Sequence, residues 1–267
     1  MIDTFTGWTP PVRLDLIIAV SFGLFVPPRI LGLAKYGGIN VHPSLLPDLR
    51  GPAPLEHAII RGRSHTGVSV QTLHPQSFDH GTILAQTPAP GIEIAVDTTA
   101  AALGEELQEV GARMLVHVIK NNCFIPPHKD SGWCANSGRP IHHAPKITKQ
   151  DQFVDFSVKT MDAILALQNA LSDTWCILPN GHRLIMHQVA GTLKFDTLNR
   201  EPGIWVERDL KYPLFRAACG KIGVILASTY AGSKAGHGNA KLMRVLPAQE
   251  GQESSESYLK HITRQVQ

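Results

Sequence analysis

The sequence predicts an α/β protein: a largely parallel sheet in the first half, and a small antiparallel barrel or sheet in the second. Three observations predict it. Strand-like and helix-like segments alternate as far as Asn121; a Pro-, Gly-, Ser- and His-rich stretch from Ile125 to Pro145 breaks the pattern; short apolar segments between turn signals follow. At 267 residues, 43% apolar and 18% charged, the chain has the material for one large or two ordinary cores.

The elements follow in order. Leu14 to Ser21 is a continuous apolar run of strand length, Pro28 to Ala34 has proline at a helix start, and Gly38 to Val41 is a second short strand. Pro54 to Arg61 reads as a helix, Gly67 to Leu73 (GVSVQTL) as a β-branched strand, and Ile83 to Thr87 as another. From Thr98 to Asn121 the period turns helical. Thr98 or Thr99 is placed to cap it, Leu103, Leu107, Val110, Met114 and Val118 recur at three and four residues, and Glu105, Glu106 and Glu109 take the exposed face. In such a sheet the active crevice lies at the carboxyl ends of the strands. After the break, an apolar helix runs around Met161 to Leu171. The strand candidates TWCIL, RLIMHQVAG, GIWVER, KIGVILAST and KLMRVLP come next, and the polar tail QEGQESSES reads as a turn before a short terminal helix.

Composition excludes several classes. No apolar run approaches the roughly 20 residues that span a bilayer. The opening MIDTFTGWTPPVR has neither the pattern of a secretory signal nor that of a transit peptide. Cys123, Cys134, Cys176 and Cys219 are far apart, without a CxxC pair or finger-like histidines, and read as reduced cysteines of an intracellular protein. The pair in Ile141 to His143 lacks acidic or cysteine neighbours, so it reads as loop histidine and not as a metal site. Up to Pro145 there are 10 basic and 11 acidic residues; from Lys146 onward there are 15 and 11. The second half therefore weakly favours an anionic partner such as RNA, or simply carries an ordinary solvated surface.

Two short stretches carry chemistry. In INVHP, Asn40 and His42 stand two apart, so on a strand their side chains leave the same face, placing an amide donor beside a titratable imidazole. Such a pair stabilises an oxyanion and moves a proton; it equally suits the cap of a turn into Pro43 to Pro47. In SFDHGTIL, Asp79 is placed to orient an imidazole, or else to stabilise a turn.

Together, GGINVHPSLLPDLRGPAPLEHAI and TGVSVQTLHPQSFDHGTILAQ resemble the formyltransferases that use 10-formyltetrahydrofolate. Within that group the chain is most similar to the methionyl-tRNA formyltransferases, through RGPAPLEHAIIRG and through APKITKQDQFVDFS, which looks like the opening of their C-terminal domain. The resemblance implies a partial Rossmann-like formyltransferase sheet in residues 1–124, a linker at 125–145, and an OB-like β-barrel at 146–267 that binds tRNA. It also implies a catalytic set of Asn40, His42 and Asp79: Asn40 and charged His42 would hold the oxyanion, while Asp79 holds His42 and helps proton transfer. Folate would contact Ser44, Leu45, Leu46 and Pro47, whose prolines stiffen a loop that presents backbone groups to a flat ring system. The loop of Phe22, Gly23 and Leu24 would face folate too, although Phe22 and Leu24 equally suit ordinary packing, and Gly23 would let the loop pass close to a ligand.

The implied reaction formylates the amino group of initiator methionyl-tRNA. It uses 10-formyltetrahydrofolate as co-substrate and no metal, in a protein that avoids membranes and is a monomer when intact. The compartment would be the mitochondrial matrix in a eukaryote or the cytoplasm in a bacterium. The family has further strand and helix units before the matching region. This chain is thus expected to be N-terminally truncated, lacking part of the pocket and any targeting segment, and Leu14 to Val20 would lose a neighbouring strand. Two other readings stay open: a non-catalytic remnant, and another enzyme that uses the same folate, either a sugar-nucleotide formyltransferase or a hydrolase.

Overall fold

A computed structural model describes residues 5–195, 200–208 and 210–249. The chain forms two compact units, residues 1–147 and 148–267.

The first unit contains β1 (Ile17–Val20), α1 (Pro28–Leu31), β2 (Gly38–His42), α2 (Pro54–Ile60), β3 (His65–Thr66), β4 (Ser69–Thr72), β5 (Ile83–Gln86), β6 (Ile92–Glu93) and α3 (Ala100–Lys120). A four-stranded sheet runs β1-β2-β4-β5, and β3 and β6 form a separate ribbon. Only β1 and β2 are parallel; β2–β4 and β4–β5 are antiparallel. The sheet is therefore mixed, not largely parallel as the alternation predicts. The connection 43–68 leaves from His42 and returns beside it, since His42 pairs with Ser69, so β4 runs back along β2. Loop 73–82 then makes a hairpin of β4 and β5, a connection that only antiparallel strands accept.

β1 lies at the sheet's edge and exposes Ile18 (45%) and Val20 (53%). The core joins Ile39, Val70 and Leu84 of the sheet to Val118 of α3. Helix α3 starts where Thr99 accepts a hydrogen bond from the Ala102 N–H, and it buries Leu103, Leu107 and Val118 together with Gly104 and Gly111. At Gly111 a Cβ would sit 3.0 Å from Val41 Cγ1, so glycine brings the helix close to β2. The Pro- and His-rich stretch stays mostly irregular, with one 3₁₀ turn at Cys134–Asn136.

The second unit contains α4 (Met161–Leu171), β7 (Thr174–Ile177), β8 (Arg183–Phe195), β9 (Gly203–Glu207), β10 (Leu214–Arg216), β11 (Lys221–Tyr230), α5 (Gly238–Val245) and β12 (Ala248–Gln249). Its sheet runs β12-β9-β10-β11-β8-β7, antiparallel from β9 to β7, with β12 parallel to β9. Trp205, Leu210, Leu214, Ile222 and Val224 form a core on it. KLMRVLP is not a strand: Lys241–Val245 closes α5, with Leu242 buried, Lys241 and Met243 half-buried, and Arg244 and Val245 exposed. The run is too short for its apolar residues to separate period two from period 3.6, and the preceding GHGNA supplies the helix start. The polar tail beyond Gln249 lies outside the described residues.

All four cysteines are unpaired. Burial pushes the Cys176 thiol up to about 12 and raises that of Cys134, so both stay protonated and unreactive at neutral pH. Among the described residues no helix is long and apolar enough to cross a membrane.

Candidate active site

The carboxyl end of β2 delivers Asn40 and His42 from one face, as their spacing requires. Loop 73–82 brings Asp79 to them. Asp79 takes a left-handed backbone (φ 58°), and its carbonyl accepts a 2.7 Å hydrogen bond from Arg50 Nε. Two residues on, a Cβ at Gly81 would lie 1.7 Å from the Thr72 carbonyl oxygen, so only glycine lets the loop close against β4.

Asp79 is the hub. Its Oδ1 accepts from Gln71 Nε2 at 2.9 Å, and lies 3.5 Å from Asn40 Nδ2 and 3.4 Å from His42 Nδ1. Its Oδ2 accepts from the Gly51 N–H at 3.0 Å. His42 Nε2 is 3.0 Å from the Leu49 carbonyl oxygen. Both imidazole nitrogens thus face oxygen acceptors, an arrangement that a doubly protonated ring satisfies at each end. The His42 and Asp79 side chains are only 7% and 8% exposed, where charge interactions are screened little. The Asn40 and His42 contacts with Asp79 are long for hydrogen bonds, as is common before substrate tightens a site.

These residues open onto a cleft of about 700 Å³, in the range of small-molecule sites. Phe22, Gly23 and Leu24, just past the end of β1, line it, as do Phe78, His143 and Lys146. Gly23 has open space around its Cβ position.

The structure does not bring Ser44, Leu45, Leu46 and Pro47 into this lining. Ser44, Leu45 and Leu46 are buried, with their polar groups taken up locally. The Leu46 N–H donates to Ser69 Oγ at 3.0 Å, Gln86 Nε2 donates to the Leu46 carbonyl at 2.8 Å, and Ser69 Oγ donates to the Ser44 carbonyl at 2.7 Å. In this geometry the segment braces the end of β2 against β4 and β5.

Sequence reading missed Gln71. It reaches Asp79 because β4 pairs Gln71 with Asn40, and its Oε1 also accepts from the Gly81 N–H at 3.1 Å. The one local signal is an amide within an otherwise apolar and hydroxylic strand. Among the described residues no group of three or more His, Cys, Asp or Glu is placed to hold a metal ion.

Residues 7–119 match a family model described as Formyl transferase. The chain is 34% identical over 164 residues to the mitochondrial methionyl-tRNA formyltransferase of Mus musculus, covering 60% of this chain and 39% of that one. It is 37% identical over 130 residues to the methionyl-tRNA formyltransferase of Caldicellulosiruptor saccharolyticus, covering 49% and 40%. It spans about two fifths of the length of these two relatives. Among solved structures, HypX from Aquifex aeolicus in complex with tetrahydrofolic acid superposes with a TM-score of 0.62, over 89% of this chain and 40% of that one; at 15% identity this likeness concerns the fold.

Proposed function

We propose, from the premise that residues 7–119 belong to the formyl transferase family, that the cleft transfers a formyl group from 10-formyltetrahydrofolate to the amino group of initiator methionyl-tRNA. The observation that carries this reading is the convergence of Asn40, His42, Gln71 and the Gly51 N–H on one buried carboxylate at the cleft floor.

In the reaction the amine nitrogen bonds to the formyl carbon, the carbonyl oxygen gains negative charge, and the bond from that carbon to the folate N10 breaks. Asn40 Nδ2 keeps one hydrogen free of Asp79 for the oxyanion, and His42 Nδ1–H, held only loosely by Asp79, supplies a second donor. Asp79 stabilises the charged imidazole and takes part in moving the amine proton towards N10. Phe22, Gly23 and Leu24 offer an apolar wall for the flat part of the folate. The antiparallel sheet of the second unit is compatible with an OB-like tRNA-binding barrel, and the excess of basic residues from Lys146 onward supports phosphate contacts.

The test incubates the chain with 10-formyltetrahydrofolate and follows donor loss with and without methionine-charged initiator tRNA. Loss that requires the charged tRNA, with formylmethionine as product, is expected. Equal loss without tRNA would point to a hydrolase, and loss that needs an amino-sugar nucleotide would point to a sugar formyltransferase; either outcome overturns the reading.

A further inference from the structure

We propose that Asp48 and Arg63, which lie outside the cleft lining, are positioning residues: they clamp the segment His142–Ala144 along Leu49–Ala53 and thereby aim the backbone groups that hold His42 and Asp79. The proposal deepens the functional reading above and rests on it for its catalytic consequence.

The backbone of Leu49–Ala53 supplies two of the site's anchors, the Leu49 carbonyl facing His42 Nε2 and the Gly51 N–H facing Asp79 Oδ2. Leu49 has φ 59°, a left-handed conformation that a leucine keeps only where its surroundings impose it. The partner that imposes it comes from far along the chain. The Leu49 N–H donates to the His142 carbonyl at 2.8 Å, the Ala144 N–H donates to the Arg50 carbonyl at 2.7 Å, and Arg50 and His143 form a parallel bridge. A Cβ at Gly51 would sit 2.3 Å from the Ala144 carbonyl oxygen, so the two backbones are in direct apposition. Ala144 is fully buried against Leu49 and Ala58.

Asp48 and Arg63 fasten this apposition. Asp48 Oδ1 accepts from the His142 N–H at 2.8 Å and from Arg63 Nη2 at 3.2 Å, and Oδ2 lies 3.1 Å from the same Nη2. Arg63 Nη2 also reaches the Pro140 carbonyl at 2.9 Å and His142 Nδ1 at 2.7 Å. Arginine only donates, so His142 Nδ1 accepts here. With side chains 14% and 21% exposed, the pair is shielded more than a surface ion pair and ties three segments distant in sequence to one point.

The test compares the whole chain with Asp48→Ala, with Asp48→Asn, which keeps an acceptor for the His142 N–H, and with Arg63→Met. Two readouts are used. The first is hydrogen exchange of the Leu49 and Ala144 amides and of the His42 ring N–H, against the amides of α3 as a control for global stability. Asp48→Ala and Arg63→Met are expected to speed exchange at Leu49, Ala144 and His42 at least tenfold and leave α3 unchanged, with Asp48→Asn intermediate. Unchanged exchange at these groups overturns the clamp, as does equal acceleration in α3, which signals general loosening. The second is the formyl transfer assay, where kcat is expected to fall at least tenfold with the donor KM within about twofold; unchanged kcat overturns the positioning role. A chain without transfer activity would contradict the functional reading alone, since the exchange readout does not depend on turnover.

Discussion

Asp79 has almost no polar capacity to spare: its two oxygens meet an amide side chain, a backbone N–H and the facing groups of Asn40 and His42. Gln71 therefore matters although it need not touch substrate. Replacing it with leucine removes the shortest hydrogen bond to the Asp79 carboxylate and also orphans the Gly81 N–H. A buried polar group left unpaired costs about 1–3 kcal/mol. Gln71→Leu is expected to lower the transfer rate about tenfold and to reduce thermal stability, measured by steady-state kinetics and a melting curve; rates and melting equal to those of the parent would refute the role. The shared face of Asn40 and His42 was legible in the sequence because strand alternation is local, whereas Asp79 joined them only through the family resemblance, its loop on its own reading equally as a turn. Gln71 was not, because its place beside Asn40 arises from the pairing of β2 with β4, and register between strands is not written in either one.

At the scale of elements, two glycines separate a packing role from a ligand-facing one. Gly81 cannot gain a side chain without displacing the Thr72 carbonyl from loop 73–82, whereas Gly23 has nothing within 4 Å of its Cβ position and lines the cleft. Gly81→Ala is expected to destabilise the fold by about 1–3 kcal/mol, the usual cost of overpacking, and to reduce transfer as Asp79 shifts. Gly23→Ala should leave the melting temperature unchanged and alter only the KM for the folate donor. Denaturant titration together with donor-dependence curves checks both; a destabilised Gly23→Ala or a fully stable Gly81→Ala contradicts this assignment. The existence and order of β1, β2, β4, β5, α3 and α4 followed from periodicity, while strand direction did not. The reversal at β4 depends on connection 43–68 returning to the end of β2 it left, a fact of topology that no local propensity records.

At the scale of the molecule, the site is assembled within the first unit, from residues 19 to 146. The Pro- and His-rich stretch that composition marks as a connector supplies the backbone pairing on Leu49–Ala53 and the His143 portion of the cleft wall. Composition reads its lack of regular elements correctly, but cannot reveal that irregular backbone folds back onto a loop ninety-odd residues earlier. If the cleft carries out the proposed formyl transfer, Asn40, His42 and Asp79 act in it as one unit. The most direct test measures the rate for the whole chain, for His42→Ala, for Asp79→Asn and for the double variant, with 10-formyltetrahydrofolate and charged initiator tRNA. Each single variant is expected to lose about 10²–10³-fold, and the double variant little more, because either change dismantles the same pair. A single variant that keeps the parent rate, or losses that simply multiply in the double variant, would contradict this reading.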